Sequence, residues 1–493
     1  MLNLYATISN YIIILLMGIY TFSCFSIFAK KDERTERRIL KRQNVLMFMI
    51  HFIAFSVMFI RTGDGRLLGL YLIQVVLFLA TILLYGILYP KVSRLIVNNM
   101  CMLICIGYIM LARLHFDEAI NQFTFGVMGV TFGLFVPVII RKFKFLANWR
   151  WFYAVIGITA LLIVAIFADD IGGARRGFSV AGFGVQPSEI IKILFVFFVA
   201  ASLVYSTAFK NLLITSAFAG LHVIILVLSV DLGTSVTLFV VYVIMIYVAT
   251  QKKLYALGGI VSGAFAAWIG YLTFGHVRAR VAYWQDPFLG GNTQLAQSLF
   301  AIGTGGWFGL GLFRGVPETI PVVTQDFMFS AIAEELGIIF ALCLILICVS
   351  CYVMFLNIAM ELRQPFYKLV ALGLGTVYIF QVFLTVGGGI QFIPLTGVTL
   401  PLVSYGGSSF ISTMIMFGII QGLYIIREDE EEEFYNKRKA YPYEEVERSG
   451  PAWDEHGVDR RVRPEYELGR GGAPRRPRRE EAKFEEVTQQ RIR

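Results

Sequence analysis

The sequence predicts an all-α polytopic membrane protein with about 13 transmembrane helices, and three observations carry that prediction. Of its 493 residues, 57% are hydrophobic and only 16% charged, with a mean hydropathy of +0.68, a balance that a soluble globular chain does not have. Apolar runs close to the roughly 20 residues needed to cross a bilayer recur along the chain. The connections between them alternate between basic and non-basic, as the positive-inside rule requires of a threaded chain. All six cysteines (Cys24, Cys101, Cys105, Cys343, Cys348, Cys351) lie within apolar runs, which argues against a disulfide framework or a Cys-x-x-Cys metal site.

The runs fall at 5–29, 45–61, 67–88, 97–114, 119–140, 151–168, 188–206, 211–229, 233–250, 254–274, 328–356, 369–388 and 404–426. The first has neither a basic lead nor an A-x-A site, so it is expected to be a spanning helix and not a cleaved signal. Basic connections at 30–44, 89–96, 141–150, Lys210, Lys252 with Lys253, and 361–368 are expected to face the cytoplasm. With an odd number of spans the N-terminus is then outside and the C-terminal tail inside. The loops 172–187, 230–232, 275–327 and 389–403 gather on the outer face. The first 426 residues hold 27 Lys/Arg against 16 Asp/Glu, so the basic excess belongs to the membrane part. From Arg427 the chain turns acidic (Glu428 to Glu433) and then rich in Pro, Gly, Arg and Glu; residues 427–493 are expected to be a disordered cytoplasmic tail. No nucleic-acid partner is expected.

The longest polar interruption, residues 276 to 337, is the large outer loop before the eleventh span, together with the entry to that span. Four outer-face arginines, Arg175, Arg176, Arg278 and Arg280, run against the positive-inside rule, as headgroup contacts or as binding groups. Glycines 303, 305, 306, 309 and 311 permit tight turns and free N–H groups that can hold anionic oxygens, or they are a plain connection. Asp326 stands at the start of the next helix, either as a cap or as an ionised base favoured by the helix dipole. Glu334 and Glu335 follow within the apolar run and are expected to point into the bundle, with Glu334 about 12 Å deeper than Asp326 by helix geometry. Upstream, Pro187-Ser188-Glu189 suits a helix start, and Glu189 and Lys192 stand three apart, as a neutralising pair or as the lining of a polar cavity. Asp231 lies in a short turn (D-L-G-T-S). The segment from Pro394 to Ser409 carries two prolines, a Gly-Gly and serines suited to close helix packing.

Taken in order, G-A-R-R…Q-P-S-E-x-x-K, D-L-G-T-S, R-x-R-V…D-P-F…Q-L-A-Q-S-L-F-A-I-G-T-G-G, Q-D-F-M-F-S-A-I-A-E-E-L-G and P-L-T-G-V-T-L-P-L-V-S-Y-G-G-S-S make the chain resemble the SEDS family, the FtsW, RodA and SpoVE group. The resemblance covers about residues 97–426 and implies a ten-helix core, with residues 1–96 as three additional N-terminal helices. It implies a peptidoglycan glycosyltransferase that polymerises lipid II beside a class B penicillin-binding protein, in elongation, division or sporulation. By motif, Asp326 falls on the catalytic carboxylate. Arg175, Arg176, Arg278, Arg280, Gln297 and Ser408 become candidates for binding pyrophosphate or sugar, and Glu189, Lys192, Asp231, Glu334 and Glu335 for a buried polar cavity. A divalent cation, Mg2+ or Mn2+, is an optional aid to the leaving pyrophosphate; no organic cofactor is expected. The rival readings are a lipid II transporter, suggested by the buried charges, and a non-catalytic scaffold for a transpeptidase. Three positions depart from the family pattern: Gly177 then Phe178 where Trp usually follows the arginine pair, Ser229 and Val230 where an acidic or polar residue and a proline usually precede D-L-G-T, and Thr385 where Asn is often found in the twelfth span.

Overall fold

A computed structural model describes residues 2–29, 32–143, 145–168, 170–171, 174–175, 177–180, 183–288 and 293–440. Contacts divide the chain into Met1–Glu430 and Glu431–Arg493; residues 441–493, where most of the expected disordered tail falls, lie outside the described residues.

Fifteen α-helices are described: α1 (Leu2–Phe28), α2 (Glu33–Thr62), α3 (Arg66–Leu88), α4 (Arg94–Leu114), α5 (Phe116–Lys142), α6 (Arg150–Phe167), α7 (Pro187–Tyr205), α8 (Phe209–Leu228), α9 (Leu232–Thr250), α10 (Lys253–Thr273), α11 (Gly275–Gln285), α12 (Thr293–Gly305), α13 (Met328–Glu361), α14 (Pro365–Gly389) and α15 (Gly407–Ala440). Thirteen of them are long and apolar enough to cross a membrane, one for each predicted run; only α11 and α12, both in the large loop, are not among them. The sequence did not announce two short antiparallel hairpins before α7. One pairs β1 (Asp170–Ile171) with β2 (Ala174–Arg175), the other β3 (Phe178–Val180) with β4 (Phe183–Val185).

Helix α4 is the axis of the packing. Its apolar stretch is wholly buried, whereas α10 contains no buried residue. It is covered by α2, α3, α5 and α13, and its polar residues serve as interhelical ties. Asn99 Oδ1 accepts from Tyr20 Oη (3.1 Å) and Cys24 Sγ (3.2 Å), and its Nδ2 donates to Ser350 Oγ (3.3 Å), so one amide joins α1, α4 and α13. Asn98 Nδ2 donates to Gln43 Oε1 (3.0 Å) and to Leu40 O (3.1 Å) on α2. In a bilayer, where burial from water does not drive helices together, such bonds fix which faces meet.

The run expected to be a single span at 328–356 is two helices joined at a break. Gly337 has φ 87° and ψ 165°, a conformation open only to glycine. A Cβ there would lie 2.4 Å from Gly309 N. The nine residues 328–336 form a half-helix about 13 Å long, and the spanning helix starts again after Gly337.

Asn99→Leu leaves the Tyr20 hydroxyl and the Ser350 hydroxyl without this partner. It should lower the unfolding free energy of the purified protein by about 1–2 kcal/mol, measured by denaturation in detergent; a change below the error of that measurement would show that the α1–α4–α13 tie is dispensable.

Candidate active site

The break in α13 frees backbone groups on both sides, and the glycine run binds them. Leu310 N donates to Glu334 O (2.9 Å) and Gly311 N to Glu335 O (2.7 Å), while Ile338 N donates to Gly306 O (2.9 Å) and Ile339 N to Trp307 O (3.2 Å). The N–H groups of Leu310 and Gly311, within the run considered for an anionic ligand, are thus bound to backbone carbonyls at the break, and two N–H groups just beyond the run hold the glutamate side chains. Phe313 N donates to Glu335 Oε1 (3.0 Å) and Val316 N to Glu334 Oε1 (2.8 Å).

Arg113, at the end of α4, completes the arrangement. Its Nε donates to Glu335 Oε1 at 2.9 Å, its Nη1 pairs with Glu318, and its guanidinium lies 4.2 Å from the centre of the Phe313 ring. Glu335 is fully buried, so the pair compensates a charge that could not otherwise stay there. Asn10 Nδ2 of α1 donates to Phe308 O (2.6 Å), and Arg314 Nη1 donates to Thr7 Oγ1 (2.8 Å), so the first helix grips the same loop.

At the other end of the half-helix, Asp326 lies in the turn that leads into Phe327 and the first helical residue, Met328. It is partly exposed, and its N–H donates to Val322 O (3.2 Å). Next to it, Thr324 O accepts from Tyr405 N (2.8 Å), which fixes this turn against the 394–407 segment. Beside the turn opens a cavity of about 260 Å³, lined by Gln325, Gln186, Glu189, Asp231, Tyr405 and Ser408 among others. Four of the motifs recognised in the sequence meet here, although they are far apart in the chain. Burial holds the Tyr405 phenol above its ordinary value, a hydrogen bond with Asn121 works against the rise, and Glu118 adds to it, so Tyr405 remains a hydroxyl donor at neutral pH.

A chain of paired polar groups forms the cavity floor. Lys192 Nζ sits 2.8 Å from Glu189 Oε2 and donates to Gln381 Oε1 (2.9 Å); Ser412 Oγ donates to Glu189 Oε2 (3.1 Å). Gln381 Nε2 continues to Thr399 O (3.1 Å) and Ser409 Oγ (3.3 Å). Asp231 caps α9 by accepting from Thr234 N (3.2 Å), and its other oxygen accepts from Ser188 Oγ (3.0 Å). Ser408 accepts from Gln186 N (2.9 Å) and donates to Gly184 O (3.1 Å), fastening the second hairpin to α15.

The predicted residues therefore separate into two groups. Glu189, Asp231 and Ser408 line the cavity and Lys192 lies behind Glu189, while Glu334 and Glu335 belong to the clamp at the helix break. Arg280 Nη1 donates to Leu395 O (3.0 Å) and Arg278 Nη1 to Leu272 O (2.8 Å), each to a backbone carbonyl. Gln297 on α12 keeps a buried Oε1 without a hydrogen-bond partner. Arg176 and the Arg175 side chain lie outside the described residues. Among the described residues no group of three or more His, Cys, Asp or Glu could hold a metal ion, so no protein cage for Mg2+ or Mn2+ is formed by them.

The departures from the family pattern have structural counterparts. A Cβ at Gly177 would lie 2.3 Å from Val185 O, so no aromatic side chain fits there. Val230 has φ 63°, which a proline cannot adopt. Thr385 Oγ1 donates to Gln381 O (3.0 Å) and Val398 O (2.8 Å). Sequence reasoning missed Arg113, Gln381 and Ser412. An arginine inside an apolar run was a usable signal for the first; the two neutral residues gave none.

Fold and site together define a multi-pass membrane protein that presents a partly exposed carboxylate, Asp326, beside a polar cavity. The chain belongs to the FtsW/RodA/SpoVE family of cell cycle proteins, which it matches over residues 93–428. That match runs from the residue before α4 into α15 and leaves out α1, α2 and α3. The chain is 32% identical over 361 residues to the peptidoglycan glycosyltransferase RodA of Mycobacterium leprae, covering 67% of this chain and 77% of that one. It is 33% identical over 285 residues to the probable peptidoglycan glycosyltransferase FtsW of Aliivibrio salmonicida, covering 54% and 70%. Its fold is similar to a chain of a peptidoglycan synthase complex that coordinates polymerization and crosslinking (TM-score 0.58, 21% identity, 69% of this chain and 98% of that one). It is also similar to the Thermus thermophilus rod shape determining protein RodA (TM-score 0.52, 20% identity, 69% and 98%).

Arg113→Leu leaves the buried Glu335 charge uncompensated and should cost about 3–5 kcal/mol of stability. The double variant Arg113→Leu with Glu335→Leu should recover much of that loss in the same denaturation assay. A double variant as unstable as the sum of the two single variants would mean that the groups act independently.

Proposed function

We propose that this protein is a peptidoglycan glycosyltransferase that polymerises lipid II into glycan strands at the outer face of the cytoplasmic membrane, with Asp326 as its general base. The observation that carries the reading is the position of Asp326 in the turn that enters an anchored half-helix, next to a polar cavity, in a chain that belongs to this family. The ionised carboxylate takes the proton of the acceptor sugar's 4-hydroxyl as that oxygen attacks the donor's anomeric carbon. The anomeric C–O bond breaks and undecaprenyl pyrophosphate leaves with the electron pair. One carboxylate suffices for an inverting displacement, since no covalent glycosyl intermediate is needed.

Hydroxyl and amide groups around the cavity suit a sugar or pyrophosphate, and Arg278, Arg280, Arg175 and Arg176 supply the outer-face cations for the leaving group. A divalent cation, where used, would be held mostly by pyrophosphate oxygens and water. In this reading the N-terminus is outside and the tail cytoplasmic, an orientation that the basic connections support. The partner is a class B penicillin-binding protein that crosslinks the strands, and the process served is elongation, division or sporulation. Transport of lipid II gains no support from the buried charges, because Glu189 and Lys192 neutralise each other within a paired network.

Asp326→Asn keeps the shape and removes the base. Purified with its partner, this variant should lose on the order of 10²- to 10⁴-fold in polymerisation of labelled lipid II on gels, with its melting temperature unchanged. Polymer yield equal to the unaltered protein would remove Asp326 from the role of base.

A further inference from the structure

We propose that a crevice between α2, α3 and α4, remote in sequence from the catalytic motifs, binds one anionic phospholipid. The crevice has a volume of about 270 Å³, and its rim carries Arg37, Lys41 and Arg94. Arg37 is shared with the exposed Glu33 (3.2 Å). Lys41 and Arg94 have no hydrogen bond or ion pair among the described residues, and no carboxylate lines the crevice. The neighbouring Lys91 shows the contrast, since it is paired with Asp429 at 2.7 Å. Two unpaired cations converging on one concave site therefore await an anion from outside the chain.

The depth and the walls identify that anion as lipid. Arg94 is the first residue of α4 and Leu88 the last of α3, while the apolar run of α2 begins at Val45, so the rim lies at headgroup level. Beneath it the walls are apolar, and Leu83 and Ile87 of α3 are 59% and 73% exposed, opening sideways to the acyl region. Gly86 makes the notch between the helices: nothing lies within 4 Å of where its Cβ would stand. Asn44, on the same face of α2 as Arg37 and Lys41, has a buried Oδ1 with no partner. A phosphate diester between the cations with a headgroup hydroxyl donating to Asn44 satisfies these groups together, which points to a glycerol-type headgroup such as that of phosphatidylglycerol. A free phosphate would leave the open apolar walls unused.

The test uses the full-length protein, stripped of lipid in detergent and offered phosphatidylglycerol or phosphatidylcholine, with bound lipid counted by native mass spectrometry. One phosphatidylglycerol should be retained in preference to phosphatidylcholine. Lys41→Gln with Arg94→Gln should weaken retention roughly tenfold, as expected for removing two interfacial cations. Gly86→Leu should have a similar effect while every charge stays, because the side chain fills the notch. Lys252→Gln with Lys253→Gln, a basic pair elsewhere, should change nothing, and soluble glycerol phosphate should not compete. Equal loss from the Lys252/Lys253 pair would mean diffuse surface charge and overturn the proposal. So would unchanged binding by Gly86→Leu, or competition by glycerol phosphate at the same concentration as lipid.

Discussion

A helix that stops for one residue within the apolar layer leaves N–H and C=O groups that lipid cannot satisfy, and in this chain the remedy is a protein loop held by the Arg113–Glu335 pair. The loop gives its backbone groups to both sides of Gly337 and takes the two glutamate side chains in return. The half-helix 328–336 is thereby fixed at its inner end. Its outer end, with Asp326, is fixed by the bond from Tyr405 N to Thr324 O. Placement of Asp326, the base proposed above, thus depends on a buried ion pair about one half-helix away from it, and the pair's role is to hold a register and not to add net stability.

Of the three helices outside the family match, α1 is built into this support. Asn10 and Thr7 reach the loop from α1, and Asn99 binds α1 to α4 and α13 through one amide. Because α4 also carries Arg113, α1 and the turn that holds Asp326 are linked through elements already rigid by packing. The cavity beside Asp326 rests instead on α7, α14 and α15, whose Glu189–Lys192–Gln381 chain keeps the Glu189 and Lys192 charges paired. Clamp and cavity are separate constructions that meet at the turn 322–327.

The thirteen spans were legible because a bilayer sets a length that composition alone reveals, and the motifs between spans were legible as a group because polar residues there are few. The convergence of Gln186, Asp231, Gln325 and Ser408 on one cavity was not, since no local pattern says which loops touch. The break at Gly337 hid in an apolar run, where one glycine's φ/ψ has no signature; the two glutamates before it were the only hint. Arg113 looked like a residue at the end of a span. The hairpins between α6 and α7 are two or three residues per strand, too short to show alternation.

The most direct test of this account is the distance distribution between spin labels at Val322, in the turn before Asp326, and His115, beside Arg113, both exposed. In the otherwise unaltered protein it should be narrow and single, and in Arg113→Leu it should broaden while lipid II binding persists. A distribution equally narrow in both would contradict the claim that the Arg113–Glu335 clamp positions the turn that holds Asp326.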